Sequence, residues 1–235
     1  MIVPTGRAIT TLLALSTVAM PLASPDKPVA TREAICRRAE KPPVLDGKLD
    51  DACWEGLKPL ALKNAVGETA KEYPTQAWLA FDNEFLYLAV RCRHPEGQRV
   101  APVKARKRDA DLRRFDRVSL MLDLDRDYAT YYHLQIDQRG CVCEDCWGDK
   151  RWNPRWFVAV HSDETGWQAE AAIPLSELTG DRISVGTVWA ANVVRILPGR
   201  GVQAWSVPAD VEPRPEGMGL LMFNQPQGRP AAKAP

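Results

Sequence analysis

Apolar and polar residues alternate with a period of two through most of this chain. In 75–81, Ala77, Leu79 and Phe81 fall on one face. In 85–93, Leu86, Leu88, Val90 and Cys92 share a face, while Arg91 and Arg93 point the other way. Asp82-Asn83-Glu84 between these runs has the composition of a hairpin turn. In 117–123, Val118, Leu120 and Leu122 alternate with Ser119, Met121 and Asp123. In 131–137, Tyr132, Leu134 and Ile136 alternate with His133, Gln135 and Asp137, and Gln138-Arg139-Gly140 then turns the chain. Shorter runs cover 156–161, 167–173, 187–196 and 219–223. Such runs, separated by turn residues, predict antiparallel strands. Helix is expected only in short pieces, at Asp50–Gly56 and at Pro174–Leu178, where proline suits a first helical turn. Many short strands and little helix predict an all-β, antiparallel sandwich of jelly-roll or immunoglobulin-like type, with one or two short helices.

The ends have a different texture. Arg7 precedes a short apolar run from Ala8 to Ala23, followed by Ser24. A cation, a short apolar stretch and small residues predict a secretory signal peptide over 1–24. Thr10, Thr11, Ser16, Thr17 and Pro21 interrupt the run, which makes it a poor spanning helix. The expectation is therefore a secreted or periplasmic protein of the cell envelope, with no stable membrane insertion after cleavage. Residues 25–41 lack periodicity and are expected to be a linker. The sandwich is expected over 42–223, and the Pro- and Ala-rich tail 224–235 to be disordered.

Composition narrows the chemistry. The 235 residues carry a net charge of +1, so nothing global favours a nucleic acid or a membrane surface. The chain has no G-x-S-x-G, no H-E-x-x-H and no phosphate loop, and no catalytic constellation is expected. Six cysteines in an exported chain permit disulfides. Cys141, Cys143 and Cys146 form C-x-C-x-x-C, which would need a fourth ligand to hold zinc.

Eight tryptophans is a high count for this length, although Trp54, Trp167, Trp189 and Trp205 are expected to pack and Trp78 lies on a strand face. Trp147, Trp152 and Trp156 sit in or beside CWGDKRWNPRW (146–156), which reads as a loop. Indole rings on loops can stack on the C–H faces of sugars, or cap the edge of a sandwich. Asp123, Asp125 and Asp127 alternate at a strand end, a pattern able to wrap a hard cation. The segment KARKRDADLRRFDR (104–117) has seven cationic side chains and three Asp. It is either a solvated loop or a contact for an anionic glycan, with Arg as a carboxylate fork.

Five segments occur in a telling order: PPVLDGKLDDACWEG (42–56), TQAWLAFDNEFLYLAVRC (75–92), FDRVSLMLDLDRD (115–127), GWQAEAAIPLSEL (166–178) and VWAANVVR (188–195). Together they resemble the family 9 carbohydrate-binding modules and their wider sugar- and haem-binding β-sandwich superfamily. The resemblance implies non-catalytic binding of a glycan or polysaccharide, in the service of carbohydrate breakdown, with a possible partner hydrolase. It also implies structural calcium. Two tryptophans clamp the sugar in such modules. Where they would stand, this chain has Arg113, Arg114 and Phe115, and the loop Val211-Glu212-Pro213-Arg214. Trp147 and Trp152 are therefore the candidate stacking rings, with Phe115 as a substitute ring and Arg113, Gln135 and Arg195 as polar partners, although Arg195, at strand depth, also suits a structural ion pair. Two rival readings stay open. One is an envelope interaction domain that has lost sugar binding. The other is haem-linked electron transfer through Met121 and His133, although ordinary packing accounts for either residue.

Overall fold

The computed structural model describes residues 32–105, 108–184 and 186–224. The signal-peptide expectation for 1–24 lies outside the described residues, as does the tail beyond Asn224. The strands are β1 (Glu33–Arg38), β2 (Leu60–Ala61), β3 (Lys63–Val66), β4 (Thr75–Phe81), β5 (Phe85–Arg93), β6 (Arg117–Asp123), β7 (Tyr132–Asp137), β8 (Val142–Cys146), β9 (Phe157–Ser162), β10 (Gly166–Pro174), β11 (Val188–Leu197), β12 (Gly201–Ala204) and β13 (Gly219–Asn224).

Hydrogen bonding runs without a break in the order β8-β7-β6-β11-β13-β1-β4-β5-β10-β9. The inward residues of this path form one cluster. Leu79, Leu88, Val90, Trp167 and Ile173 from one half meet Leu120, Leu134, Ile136, Trp189 and Val193 from the other. The sheet therefore curls, and its halves pack face to face as a β-sandwich. The expected strands are all present, because period-two alternation survives wherever one face is buried.

Four features depart from expectation. Residues 25–41 were expected to be linker, yet Glu33–Arg38 form β1, in the middle of the sheet and parallel to both β13 and β4. Its burial alternates, with Ala34 and Cys36 inward, but arginine and glutamate on the outward positions hide that rhythm. The short strands β2, β3, β8 and β12 were also missed. Asp50–Gly56 forms turns rather than a helix, and Pro174–Leu178 holds only a 3-10 turn at Leu175–Glu177. All six cysteines carry free thiols, so the expected disulfides are not formed. Cys36 and Cys92 are core residues, and Cys141 and Cys143 pack against Leu112.

A buried polar network crosses the interior. Arg195 has no exposed surface. Its Nε and Nη2 donate to the two oxygens of Asp116 at 2.8 and 2.6 Å. Its Nη1 donates to Tyr73 O and Thr75 Oγ1, and Nη2 also to Arg93 O. Trp167 Nε1 donates to the same Asp116 carboxylate at 2.9 Å. Gln203 extends the chain of bonds to Thr75, Thr69 and Tyr73. Every donor of the guanidinium group is spent on protein, so of the two roles open to Arg195 it takes the structural ion pair and not the ligand contact.

A second buried carboxylate pins the segment 42–57 to the outside of β10. Glu170 accepts from Trp54 Nε1 at 2.8 Å and from Gly47 N at 3.1 Å. Gly47 has φ of +83°, and a Cβ there would stand 2.5 Å from the backbone nitrogen of His161. Only glycine fits a turn so close to β9. Burial pushes the Glu170 carboxyl up to about 7, against the lowering effect of these bonds.

Two outcomes follow. Arg195→Ala strands Asp116 and three carbonyl or hydroxyl acceptors in the core, and should cost about 3–5 kcal/mol in urea unfolding. Arg195→Lys should recover little of it, since an ammonium cannot span the fork. Glu170 binds its proton more tightly folded than unfolded, where its value lies near 4.5. Its contribution is thus favourable below 4.5 and is lost as pH rises through about 7. Unfolding free energies between pH 5 and pH 8 should decline more steeply for the wild type than for Glu170→Gln.

Candidate functional site

The outward face of β6, β7 and β8 carries the polar half of the alternation. While Leu120, Leu134 and Ile136 turn inward, His133 and Gln135 of β7 and Cys143 and Asp145 of β8 turn outward. Two loops rise beside them, 109–113 and 211–213. Together they enclose an open groove of about 630 Å³. Arg117, Tyr131, Gly148 and Lys150 complete its lining.

The groove is nearly neutral. Asp109, Asp111, Asp145 and Glu212 stand against Arg113, Arg117 and Lys150. Several of these are already engaged. Arg113 makes a two-point contact with Asp111, its Nε and Nη2 each 2.9 Å from a carboxylate oxygen. That pairing pulls the Asp111 carboxyl well below its usual range. Arg117 holds the loop by donating to Leu112 O and Arg113 O. The His133 ring sits 3.1 Å from Asp145 Oδ2. Burial pushes the Asp145 carboxyl up, but His133, the Gly148 N–H and Lys150 outweigh it and hold it low. Gln135 donates to Ser119 Oγ at 2.9 Å, which orients its amide on the groove floor.

The six expected contact residues separate here. Arg113 and Gln135 line the groove. Trp147 stands at its margin, between Cys146 and the lining residue Gly148. Its ring is 68% exposed, and its backbone N–H is tied to Tyr131 O in a left-handed conformation with φ of +51°. Trp152 lies elsewhere. It packs against the core with its ring 4.7 Å from Tyr132, and its Nε1 donates to Glu177 O. Of the two roles open to the loop tryptophans, Trp152 takes the capping one, and Trp156 is buried outright. The Phe115 face is covered by the Arg139 guanidinium, 3.3 Å from the ring centroid. Arg195 is on the core side of β11.

Sequence reasoning passed over His133 and Asp145 as sugar-facing residues, and also Tyr131 and Lys150. Strand parity placed His133 on the Gln135 face. Nothing local revealed β8, so Asp145 had no face at all. The two segments where the resemblance expects clamp rings, at Arg113 and at Val211–Pro213, do meet over this one groove.

Asp123, Asp125 and Asp127 each bring one carboxylate oxygen within 4.8 Å of the others, the one such cluster among the described residues. Asp123 is fully buried and accepts from the backbone N–H groups of Arg126 and Tyr128, at 2.8 and 2.7 Å. Burial and the adjacent Asp125 push its carboxyl up. Three hard oxygen donors, one of them buried without a cationic side-chain partner, suit a hard cation. Cys141, Cys143 and Cys146 do not converge. Cys143 lines the groove, Cys141 packs with it against Leu112 just before β8, and Cys146 lies at the far end of that strand. Met121 and His133 are direct cross-strand neighbours on one face, so they cannot grip a planar group from opposite sides.

No family model and no curated protein matches the chain in sequence. Solved structures match it in three dimensions. A family 9 carbohydrate-binding module from Caldicellulosiruptor kristjanssonii, in complex with cellotriose, is 14% identical with a TM-score of 0.63. The match covers 87% of this chain and 100% of the module. The glucose complex of a family 9 module from the same organism gives 15% identity and a TM-score of 0.62, covering 86% and 100%. A protein from Bacteroides uniformis described as carbohydrate-binding gives 13% and 0.63, covering 83% and 100%. At these identities the likeness is one of fold.

Proposed function

We propose that this protein is a non-catalytic glycan-binding sandwich, and that the groove over β6, β7 and β8 holds the sugar. The observation that carries the reading is the groove's lining. It combines an oriented amide, a His–Asp pair, tyrosine and cations balanced by carboxylates, with an exposed indole at the margin. Closely set donors and acceptors with little net charge suit a neutral, hydroxyl-rich ligand. The fold shared with modules solved with cellotriose and glucose supports this. The protein would be exported, would serve carbohydrate breakdown in the envelope or outside the cell, and would keep a partner hydrolase near its substrate.

One observation favours the rival interaction-domain reading. Neither clamp position holds a tryptophan, the Phe115 face is covered by Arg139, and Arg113 is closed onto Asp111. The same experiment separates the two. In affinity electrophoresis through neutral β-glucans, the full chain should be retarded. Trp147→Ala should weaken that retention about tenfold, the equivalent of about 1.4 kcal/mol. Gln135→Ala should weaken it in the same direction. No retention by any neutral polysaccharide would leave the interaction domain as the better account.

The aspartate cluster is proposed to hold a structural calcium ion at the end of β6. A cation there would relieve the repulsion between Asp123 and Asp125 and tie down the 124–128 turn. Millimolar calcium should raise the melting temperature by a few degrees through binding to the folded state. Asp125→Asn, at an exposed position, should abolish that rise while leaving the calcium-free melting temperature unchanged or higher.

A further inference from the structure

The other half of the sandwich carries a second polar surface. Gln76 on β4, Arg91 on β5, Gln168 on β10 and His161 on β9 are successive register partners. Register partners project to the same side, so these four side chains stand in one line across four strands. At the usual strand spacing the line is about 14 Å long. The neighbouring row, which contains Trp78 and Glu170, is partly roofed by the segment 42–57 through Gly47 and Trp54. Through Gly47 the roof reaches the backbone of Val160 and His161 at the β9 end of the line, and it stops short of Gln76, Arg91 and Gln168. Beside it lies a hollow of about 440 Å³, lined by Gln76, Arg91, Arg93 and Gln168 among others.

These groups have donors and acceptors to spare. Among the described residues, no hydrogen bond engages the side chains of Gln76, Gln168 or His161, and His161 stands near the carboxylates of Asp46 and Asp163. Arg91 is exposed and rests 5.6 Å from the Trp78 ring centroid, with no carboxylate paired to it. Arg93, also exposed, follows two residues later on the same face and likewise has no carboxylate partner among the described residues. Four other surface arginines are spent in ion pairs, Arg99 with Glu164, Arg113 with Asp111, Arg151 with Asp149 and Arg214 with Glu216. Arg37, Arg114, Arg182 and Arg200 are exposed without one among the described residues, but do not stand beside a row of amides. The basic loop at 104–117, where sequence suggested an anionic contact, therefore has its Arg113 fork already filled. The forks on β5 are open.

We infer that this row is a second binding surface, for a linear acidic oligosaccharide bearing uronate groups. Each part of the row matches a part of that ligand. An amide donates and accepts at once, as adjacent sugar hydroxyls require. An arginine fork fits a carboxylate in two-point geometry. The length and straightness of the row fit an extended chain of rings rather than a single sugar. A net charge of +1 spread over the whole molecule speaks against a nucleic acid backbone, which needs many cations in one patch. The inference does not rest on the groove, which lies over β6, β7 and β8 at the far end of the hydrogen-bonded path.

Affinity electrophoresis of the full chain through polygalacturonate tests it, with a neutral β-glucan gel and a heparin gel run at the same ionic strength. Arg91→Gln and Gln168→Ala are the variants, and both replace partly or fully exposed side chains, so folding should be retained and is checked by thermal melts. The expected result is retardation by polygalacturonate that falls about tenfold in each variant. It should persist in Gln135→Ala, and retention by neutral glucan should be unchanged in Arg91→Gln. Three results would overturn the inference. They are no retardation of the wild type by polygalacturonate, wild-type retention in both variants, or retention by heparin and polygalacturonate alike that depends on Arg91 but not on Gln168. The last would mark a general anion surface. Loss of neutral-glucan binding with acidic binding intact would remove the groove reading and leave this one standing.

Discussion

The two halves of this sandwich are joined through the hydrogen bonds of one buried guanidinium group. Arg195 enters the interior from β11 and its guanidinium meets Asp116, just before β6. The remaining donors reach Tyr73, Thr75 and Arg93, which belong to β4, β5 and the approach to β4. A charge in a core is tolerable only when its hydrogen bonds are complete, and here they are. This completeness sets the relative position of β6 and β11 on one side and β4, β5 and β10 on the other. Apolar packing alone would permit the halves to slide, because dispersion contacts are not directional.

Both candidate binding surfaces depend on that registration. The groove needs loops 109–113 and 211–213 to stand over β7 and β8, and Arg117, next to Asp116, anchors the first of them. The outer row needs β4, β5, β10 and β9 to keep their pairing, and Arg195 binds the ends of two of those strands. The two surfaces differ in electrostatics. Cations and carboxylates are nearly matched around the groove, and its Arg113 is already neutralised by Asp111. On and beside the outer row, Arg91 and Arg93 have no such partner among the described residues. One fold can thus offer a neutral sugar a balanced pocket and an acidic chain an open pair of forks.

Glu170 and Asp123 illustrate a different use of buried carboxylates. Each closes a turn by accepting backbone N–H groups, Gly47 in one case and Arg126 and Tyr128 in the other. Such bonds favour the ionised form, whereas burial opposes it. For both groups burial prevails. Glu170 also receives the Trp54 indole, which completes a neutral clasp. Asp123 has Asp125 beside it instead, an arrangement that invites a cation.

The strand pattern was legible in the residues themselves. Alternation in 75–93, 117–123 and 131–137 reports burial on one face, and burial on one face is what makes a strand keep its register. That reasoning placed Gln135 correctly on the groove side. It failed for β1, whose arginines and glutamate mask the apolar positions, and for β8, where cysteines and carboxylates replace the usual apolar residues. What tertiary structure decided was the fate of each functional side chain. Arg195 and Arg113 are both candidate ligand contacts in the sequence, yet one lies in the core and the other on the rim. Trp147 and Trp152 occupy the same loop, yet one ring is exposed and the other is packed on Tyr132. The Gln76–Arg91–Gln168–His161 row joins residues up to 92 positions apart. A local pattern carries the side a residue faces. Which distant strand lies beside it, and whether an acidic partner waits there, is settled only when the sheet closes.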